Sequence, residues 1–226
     1  MRIPVLLILV LAASGCGSRP SPQPEPAQST ASGGSAPPPA PDSRPVIAAF
    51  GDSLTAGFGV DPGKSYPDFL QKELDRRGYH YHVVNAGISG DTTTDALARL
   101  SLVTELKPAV VILEFGGNDG LRGLPVTTTR SNLEQLIAGV KGAGATVLLA
   151  GMTLPPNYGP DYISSFQRVY VELAAQYKVA RIPFLLEGVG GTSYMQADGL
   201  HATAEGNRIV AATVMRYLEP LLPRSF

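Results

Sequence analysis

The chain has 226 residues and a formal net charge of -1, because 18 Lys and Arg residues nearly balance 19 Asp and Glu residues. That length suits one domain with appendages, and the charge balance gives no sign of a nucleic-acid partner. The single cysteine excludes an internal disulfide and any cysteine-based metal site, and three histidines leave little room for a histidine zinc site.

Residues 1–16 have the composition of an export signal that ends in a cysteine. One basic residue precedes an apolar stretch that is too short to span a bilayer comfortably and is typical of a secretory signal. Cys16 directly follows Ala13, Ser14 and Gly15, and this order resembles a bacterial lipobox, although leucine is usual at the position of Ala13. The resemblance implies a lipidated Cys16 and membrane anchoring. The alternative is a plain export signal, and both predict a periplasmic or cell-surface protein.

The segment that follows, residues 17–45, consists mainly of Pro, Ser, Gly, Ala and Gln. Such a segment cannot bury enough apolar surface to offset the entropy lost on ordering, so we predict a disordered linker. It would tether the domain while leaving it free to reorient.

From residue 46 onward, apolar strand-like stretches alternate with amphipathic helical patterns. The pattern predicts strands at residues 46–50, 81–86, 109–115, 146–150 and 180–185. It predicts helices at residues 66–77, 94–106, 131–141, 161–177 and 204–218. In the second helix, Leu97, Leu100 and Leu106 are candidate core positions. Strict alternation favours a three-layer α/β/α sandwich with a flavodoxin-like parallel sheet of five strands in the order 2-1-3-4-5.

The first predicted strand ends abruptly in the sequence GDSL at residues 51–54. Glycines at positions 51 and 57 allow the chain to turn sharply, which leaves Ser53 at the rim of the predicted sheet. A polar turn after a strand is ordinary, so these four residues alone are a weak signal. The hypothesis that Ser53 is a nucleophile therefore depends on what else reaches this edge of the sheet.

Two further motifs follow the strands that flank the first strand in the predicted order. Gly90 follows strand 2 in NAGISGD (residues 85–91) and could present a bare backbone N–H to a ligand, although a simple turn glycine is the alternative. Asn118 follows strand 3 in GGND (residues 116–119), where the alternative is a turn asparagine bonded to its own backbone. Since ligands of such sheets bind at the carboxyl ends of the strands, we expect both residues beside Ser53.

A third motif, ADGLH at residues 197–201, precedes the last predicted helix. Asp198 lies three residues before His201 across a glycine turn. Its carboxylate can therefore accept the Nδ1–H of the imidazole and leave Nε2 free to take a proton from a hydroxyl. The alternative is a helix-start loop with a solvated histidine. His80 and His82 have no comparable partner, and we interpret them as surface or edge residues.

Together these residues form a complete set for nucleophilic catalysis. A serine nucleophile needs a base, the base needs an orienting carboxylate, and the oxyanion that forms needs preorganised donors. Ser53, His201 and Asp198 supply the first three. The backbone amides of Ser53 and Gly90, with the side chain of Asn118, supply the donors.

The four motifs resemble the sequence blocks of the SGNH (GDSL) hydrolase family, and the match indicates a hydrolase domain over residues 46–226. The strings SGDTTTDALARL, GGNDGLRGLP and LPPNYG are similar to the thioesterase I, arylesterase and lysophospholipase group of that family. One departure is Ala202, where the family often has proline. The resemblance implies roles as nucleophile, base, orienting carboxylate and oxyanion donors for Ser53, His201, Asp198, Gly90 and Asn118.

In the resembled group, the segment after GGND is a mobile loop that borders an acyl groove. That segment corresponds to residues 119–125, with Leu121 and Leu124 as apolar candidates for substrate contact. Pro155 and Tyr158 are candidates for the opposite wall, together with Leu154. The alternative is that these residues only cover the edge of the sheet.

The sequence therefore predicts an exported serine esterase that hydrolyses carboxylic esters or thioesters through an acyl-serine intermediate. The expected substrates are acyl esters, acyl-CoA or lysophospholipids; no metal or cofactor is required, and a monomer is expected. Asp52, which adjoins the nucleophile, is expected to hold the turn. Three alternatives remain: a carbohydrate O-acetylesterase, a flavin-phosphate binding protein, and a lipid-tethered binding protein with an inactive site.

Overall fold

The computed structural model describes residues 42–223, so Cys16, the predicted export signal and most of the predicted linker lie outside the described residues. Within that range five parallel strands form one sheet in the order β2-β1-β3-β4-β5. This order confirms the predicted topology and fold class. The strands are β1 (Val46–Gly51), β2 (His82–Gly87), β3 (Val110–Glu114), β4 (Thr146–Ala150) and β5 (Ala180–Ile182).

Helices connect the strands and cover both faces of the sheet. In the described part of the chain they are α1 (Ser53–Ala56), α2 (Tyr66–Arg76), α3 (Thr93–Ala98), α4 (Leu100–Thr104), α5 (Gly117–Leu121), α6 (Val126–Gly142), α7 (Pro160–Tyr177) and α8 (Ala204–Leu218). α2 packs against α8 in one layer, whereas α6 packs against α3, α4 and α7 in the other. The inner strands β1 and β3 are therefore covered on both sides, which explains why they are almost entirely apolar and buried.

The helix predicted at residues 94–106 is broken into α3 and α4. Arg99 lies between them with φ -116° and ψ 11°, outside helical geometry. The break changes which side chains of the second half face the core: Val103 is 2% exposed, whereas Leu106 is 39% exposed. The prediction that Leu106 is a core residue is therefore wrong.

The fifth strand is shorter than the predicted range 180–185, because it ends at Ile182. Pro183 follows, and proline has no N–H to donate to a neighbouring strand. Leu185 is nevertheless fully buried, and its N–H donates to the carbonyl of Gly151 at 3.0 Å. The chain thus leaves the sheet early and crosses its carboxyl edge before α8 begins.

The carboxyl ends of the three strands nearest the predicted nucleophile lie level with one another. Gly51 of β1 pairs with Gly87 of β2 on one side and with Glu114 of β3 on the other. Each strand then passes into a loop or short helix at the same edge of the sheet. The predicted site residues that follow these three ends are Ser53, Gly90 and Asn118.

Residues 42–45, the described end of the predicted linker, contact the edge of the sheet. Arg44 Nη2 donates to Asp42 Oδ2 at 2.6 Å, and the carbonyl of Pro45 accepts the N–H of His82 at 3.0 Å. His82 is thus an edge residue and His80 is exposed, as predicted. Among residues 42–223, no helix combines the length and apolar character that crossing a membrane requires.

Candidate active site

Ser53 follows a tight turn at the end of β1 and is the first residue of the one-turn helix α1. Asp52 caps this helix, because its Oδ1 accepts a hydrogen bond from the Leu54 N–H at 3.0 Å. The helix ends at Gly57, whose φ of 81° lies in the left-handed region that favours glycine. Asp52 thus holds the turn, as predicted. Ser53 becomes the first helical residue, whose N–H has no partner inside the helix.

The residue before this turn has to be glycine, because the space beside it is filled. A Cβ on Gly51 would collide with the Oγ1 of Thr55 and with the Oε2 of Glu114. The same Glu114 oxygen accepts hydrogen bonds from the Asp52 N–H at 3.1 Å and from Thr55 Oγ1 at 2.9 Å. We call residues 51–57, which carry the predicted nucleophile Ser53, the nucleophile turn. It is held by Glu114 of β3 as well as by its own cap, Asp52.

The base loop, which we define as residues 195–203, is organised around the carboxylate of Asp198. Its Oδ1 accepts hydrogen bonds from the backbone N–H groups of Leu200 at 2.9 Å and His201 at 3.0 Å. Gly199, at φ 68°, allows the tight turn between the two motif residues. The second carboxylate oxygen, Oδ2, lies 2.7 Å from His201 Nδ1. Two of these bonds to Asp198 therefore hold the backbone of the loop, and the third orients the imidazole.

The imidazole of His201 connects the base loop to the nucleophile turn. Because Nδ1 donates its hydrogen to Asp198, Nε2 carries the lone pair and accepts from the hydroxyl of Ser53, with Nε2 and Oγ 2.8 Å apart. The ring of Phe58, just beyond α1, lies against the imidazole with ring centroids 4.5 Å apart. The structure thus brings together the predicted nucleophile, base and orienting carboxylate.

The contact with the imidazole also settles the charge of Asp198. Its hydrogen bond to His201 is the main cause that lowers the pKa of the carboxyl from 3.8 to about 2. The group is therefore an anion throughout the neutral range. A carboxylate at this position stabilises an imidazolium that forms when His201 accepts a proton.

The predicted oxyanion donors lie at the same edge. Gly90 has a φ of 90°, which favours glycine, and a Cβ there would meet only Arg122 Nη2 at 3.9 Å. Its backbone conformation, rather than crowding, therefore requires glycine. The N–H groups of Ser53 and Gly90 donate to no acceptor in the described part of the chain, so both are available to a ligand.

The third predicted donor, the side chain of Asn118, is already engaged. Its Nδ2 donates to Asp52 Oδ2 at 3.1 Å and to the Asp91 carbonyl at 2.9 Å. An amide nitrogen has two hydrogens, so donation to an oxyanion requires one of these bonds to be shared or released.

The aspartate that ends the GGND motif anchors the short helix α5. Asp119 is fully buried, and its carboxylate accepts from the Thr93 N–H at 2.9 Å and from the Thr93 hydroxyl at 2.5 Å. The hydroxyl of Thr129 on α6 lies 3.4 Å away from the same carboxylate. Asp119 therefore fixes Asn118 in place by tying α5 to two neighbouring helices.

Two buried carboxyl groups lie directly behind Ser53. Asp52 is 2% exposed, and burial is the main cause that raises its pKa from 3.8 to about 6. Glu114 is fully buried, and burial, followed by the neighbouring Asp52, raises its pKa well above 4.5. Burial and the neighbouring carboxylate thus both favour the protonated form of Glu114.

An open cleft of ≈ 560 Å³ passes over Ser53 and His201. It extends past Asn118 toward the loops after β4 and β5, where its walls are mostly apolar. Within residues 42–223 no group of three or more His, Cys, Asp or Glu side chains is arranged to hold a metal ion. The apolar part of the wall includes Met152, Leu154, Pro155, Phe184 and Leu186.

Of the predicted substrate-contact residues, Leu121 and Pro155 line the cleft, whereas Leu124 and Tyr158 are not among its lining residues. Tyr158 instead donates from its hydroxyl to the Leu121 carbonyl at 2.8 Å, which holds the 119–125 segment from outside. The lining residues Phe58, Met152 and Phe184 were not singled out by the sequence, because nothing in their local pattern marks them.

Over residues 49–209 the sequence matches the GDSL-like Lipase/Acylhydrolase family. The match covers more than half of the chain and includes every predicted catalytic and oxyanion residue. The chain belongs to this family. The predicted family and the predicted class of enzyme, a serine hydrolase of the SGNH (GDSL) type, are confirmed.

Within the family, the chain is similar to named esterases and thioesterases. It is 49% identical over 179 residues to Esterase TesA of Pseudomonas aeruginosa, covering 78% of this chain and 89% of that protein. It is 38% identical over 179 residues to Thioesterase 1/protease 1/lysophospholipase L1 of Escherichia coli K12, covering 78% and 85%. A crystal structure of TesA superposes with a TM-score of 0.76 at 48% identity, covering 78% of this chain and 99% of that one.

Proposed function

We propose that this protein hydrolyses acyl esters or thioesters with Ser53 as nucleophile, His201 as general base and acid, and Asp198 as orienting carboxylate. The observation that carries the proposal is the hydrogen-bond chain from Asp198 Oδ2 through the imidazole to Ser53 Oγ, with links of 2.7 and 2.8 Å. Ser53 and His201 both line an open cleft. Membership of a lipase and acylhydrolase family and similarity to esterases and thioesterases support it.

In the proposed reaction, His201 Nε2 removes the hydroxyl proton as Ser53 Oγ attacks the carbonyl carbon of the substrate. The imidazolium, stabilised by the Asp198 carboxylate, then donates this proton to the leaving alcohol or thiol as the acyl-serine forms. A water molecule, deprotonated by the same imidazole, attacks the acyl group, and the proton returns to Ser53 as the acid leaves.

The negative charge that develops on the carbonyl oxygen needs donors fixed in place before the reaction. We propose that the N–H groups of Ser53 and Gly90 and the Nδ2 of Asn118 are these donors. The two backbone groups have no other acceptor among the described residues. Asn118 joins them by exchanging its 3.1 Å bond to Asp52 for a bond to the oxyanion.

The shape of the cleft favours an acyl chain as the group held beside the nucleophile. Its volume of ≈ 560 Å³ lies within the roughly 300–1,000 Å³ typical of small-molecule sites. Its apolar wall lies toward β4 and β5, which suits a hydrocarbon chain better than an acetyl group alone. We therefore propose a preference for medium-length acyl groups over acetyl.

The experiment that tests the nucleophile is labelling with a fluorophosphonate probe, with Ser164→Ala on the exposed face of α7 as the matched control. The wild type and Ser164→Ala should be labelled at one site, and Ser53→Ala should not be labelled. Hydrolysis of p-nitrophenyl butyrate by Ser53→Ala should fall by about a millionfold in kcat. Labelling of folded Ser53→Ala at an unchanged rate would contradict the proposed nucleophile.

A series of p-nitrophenyl esters from acetate to laurate tests the acyl preference. We expect kcat/KM to rise from acetate to a maximum at a medium chain length. A maximum at acetate, accompanied by release of acetate from acetylated sugars, would contradict this preference and favour a carbohydrate O-acetylesterase.

We further propose that the protein is exported and anchored through a lipidated Cys16, a residue outside the described range. The motif at residues 1–16 supports this proposal. Radiolabelled palmitate should be incorporated into the wild type and not into Cys16→Ser, and only the wild type should sediment with membranes. If the wild type is exported but incorporates no label, residues 1–16 are a plain secretory signal and the proposed anchor is wrong.

A further inference from the structure

The side chain of Arg99, which lies in the break between α3 and α4, donates from all three of its nitrogens. Nε donates to Asp91 Oδ2 at 2.6 Å, Nη1 to the Ala86 carbonyl at 2.8 Å, and Nη2 to the Gly51 carbonyl at 2.9 Å. The side chains of Arg99 and Asp91 are each 14% exposed. One mostly buried guanidinium therefore joins the ends of β1 and β2 to the loop that follows β2.

Two aromatic rings fix the orientation of this guanidinium. Its central carbon lies 4.6 Å from the ring centroid of Phe50 and 5.5 Å from that of Phe115. These rings pack edge to face with centroids 4.8 Å apart. A planar cation held against the two rings can point its three nitrogens at acceptors in different directions. A lysine ammonium at this position would reproduce the charge but not this fork.

The atoms that Arg99 holds are close neighbours of the three proposed oxyanion donors. Gly51 lies two residues before Ser53, and Asp91 directly follows Gly90. The Asp91 carbonyl also accepts one hydrogen of Asn118 Nδ2 at 2.9 Å. The Gly51 carbonyl accepts in addition from the N–H of Ile88 at 3.1 Å, which links the nucleophile turn to the loop that carries Gly90.

We propose that Arg99 is the positioning residue of the oxyanion hole, holding the donors on Ser53, Gly90 and Asn118 at the spacing that a tetrahedral intermediate requires. It acts through Gly51 and Asp91 and makes no contact with substrate. The inference rests on the proposed function, because it assumes that these three groups are the donors. Donors stabilise an oxyanion only within a narrow range of distances, so displacement of the Gly90 loop lowers the rate of acyl transfer without removing any reacting group.

A role confined to folding is the main competing explanation, because removing one partner of a mostly buried ion pair destabilises the folded protein. The two roles differ in what they change. Loss of stability lowers the amount of folded enzyme, whereas a misplaced oxyanion donor lowers kcat of each folded active site and leaves KM nearly unchanged. Activity must therefore be expressed per active site, counted by the amount of fluorophosphonate bound at completion.

The first test is Arg99→Lys, with Arg130→Lys as the matched control. Like Arg99, Arg130 uses more than one nitrogen, since it donates to Glu172 and Gln176. It lies on α6 and does not line the cleft. We expect kcat of Arg99→Lys for p-nitrophenyl butyrate to fall roughly 10- to 100-fold per active site, with KM within about threefold of the wild type. The kcat of Arg130→Lys should stay within about twofold of the wild type. A kcat of Arg99→Lys equal to that of the control overturns the proposal.

The second test is Arg99→Ala supplied with ethylguanidine, which matches the part of the side chain that the substitution removes. We expect millimolar ethylguanidine to raise kcat per active site at least about tenfold, because the acceptors on Gly51, Ala86 and Asp91 remain. Ethylamine at the same concentration is the control and should restore less. A rise in melting temperature without a rise in kcat per site would show that Arg99 serves folding alone, and would overturn the proposal.

Asp91→Asn provides a test that leaves the arginine in place. The variant keeps the backbone carbonyl that receives Asn118 but removes the charged partner of Arg99 Nε, so we expect a smaller fall in kcat with unchanged KM. A change in KM with kcat unchanged contradicts the proposal. Failure of the proposed function has a separate signature, because Ser53→Ala would then still bind the fluorophosphonate.

Discussion

The two halves of the site are held in place in opposite ways. The nucleophile turn is buried, with Asp52 at 2% and Thr55 at 0% exposure, and groups from β3 and α5 bond to it. The base loop lies at the surface, where the side chain of Asp198 is 37% exposed and most of its hydrogen bonds stay within the loop. Its links to the rest of the site are few.

This difference predicts that changes in the two halves have different consequences. A substitution in the nucleophile turn disturbs buried hydrogen bonds and therefore affects stability as well as rate. A substitution in the base loop alters the position or charge of the imidazole while leaving the core intact. Comparing kcat with the free energy of unfolding for variants in each half tests this division directly.

Asp198→Asn should show the largest separation between rate and stability. Asparagine has nearly the same shape, but its neutral oxygen cannot stabilise the imidazolium or enforce the tautomer, so kcat should fall by about ten-thousandfold. The melting temperature should change little, since the loop is exposed. Steady-state hydrolysis of p-nitrophenyl butyrate and thermal unfolding measure the two quantities.

Asp161→Asn, an exposed carboxylate on α7, is the control for the loss of one negative charge. It should leave kcat unchanged. A fall of less than about tenfold in Asp198→Asn, with the control unchanged, would show that the proposed orienting role is wrong.

Asn118→Ala tests the buried half, and we expect it to change both quantities. Loss of one oxyanion donor should lower kcat by about a hundred- to a thousandfold, while the backbone donors remain. Because Asn118 also joins Asp52 to the Asp91 carbonyl, unfolding free energy should fall by about 1 kcal/mol or more. Kinetics and urea unfolding of Asn118→Ala and of the exposed control Asn157→Ala give both values. A silent Asn118→Ala beside an inactive Ser53→Ala would contradict the oxyanion assignment.

The sequence was sufficient to predict the sheet order and the residues that meet at its edge, because each depends on local patterns. Strand and helix periodicity fixed the topology, and topology placed the residues after β1, β2 and β3 together. Ser53, Gly90 and Asn118 each follow one of these strand ends by a few residues, which was enough to place them at the same edge. The position of Asp198 relative to His201 followed from a four-residue turn.

What the sequence did not reveal depends on contacts between distant positions. Arg99 lies inside an apparently regular helical pattern, and only its acceptors on β1 and β2 show why the helix breaks there. The wrong prediction for Leu106 has the same cause, because it assumes an unbroken helix. Glu114 had a visible signal, a charged residue at the end of an apolar strand, which is rarely buried without a special role. The cleft walls had none, because apolar residues there look like core.

Gln196→Ala tests whether the base loop depends on a single tether. The Nε2 of Gln196 donates to the carbonyls of Phe58 at 2.7 Å and Ala202 at 2.9 Å, joining the base loop to the segment after α1. Without this link the imidazole should sample positions away from Ser53, and kcat should fall roughly tenfold with little change in melting temperature.

The control for this variant is Gln135→Ala on the exposed face of α6, where, among residues 42–223, the side chain bonds only to Ser131. Both variants are measured for kcat, KM and thermal unfolding. If Gln196→Ala retains full kcat, the hydrogen bonds of Asp198 suffice to hold the loop, and the contrast between the two halves is smaller than the structure indicates.

Of these variants, Glu114→Gln should affect activity least. Its effect should lie in the buried half of the site, where it should change how the unfolding free energy depends on pH. The pKa of Glu114 is raised well above 4.5 in the folded protein by burial and by the neighbouring Asp52. The folded state therefore holds a proton that the unfolded state releases above about pH 4.5, and the wild type loses stability as pH rises from there toward the raised pKa. Glutamine mimics the protonated side chain and has no proton to lose.

The difference in unfolding free energy between Glu114→Gln and the wild type should thus shift in favour of the variant, by up to about 1.4 kcal/mol per pH unit above pH 4.5. Urea unfolding at several pH values between 4 and 8 measures the difference, and Glu105→Gln at an exposed position is the control. Parallel curves for the wild type and Glu114→Gln would mean that Glu114 ionises normally in the folded state. The negative charge behind Ser53 would then be shared between Asp52, which accepts from the Asn118 amide, and Glu114, which accepts from the Asp52 N–H and Thr55 Oγ1.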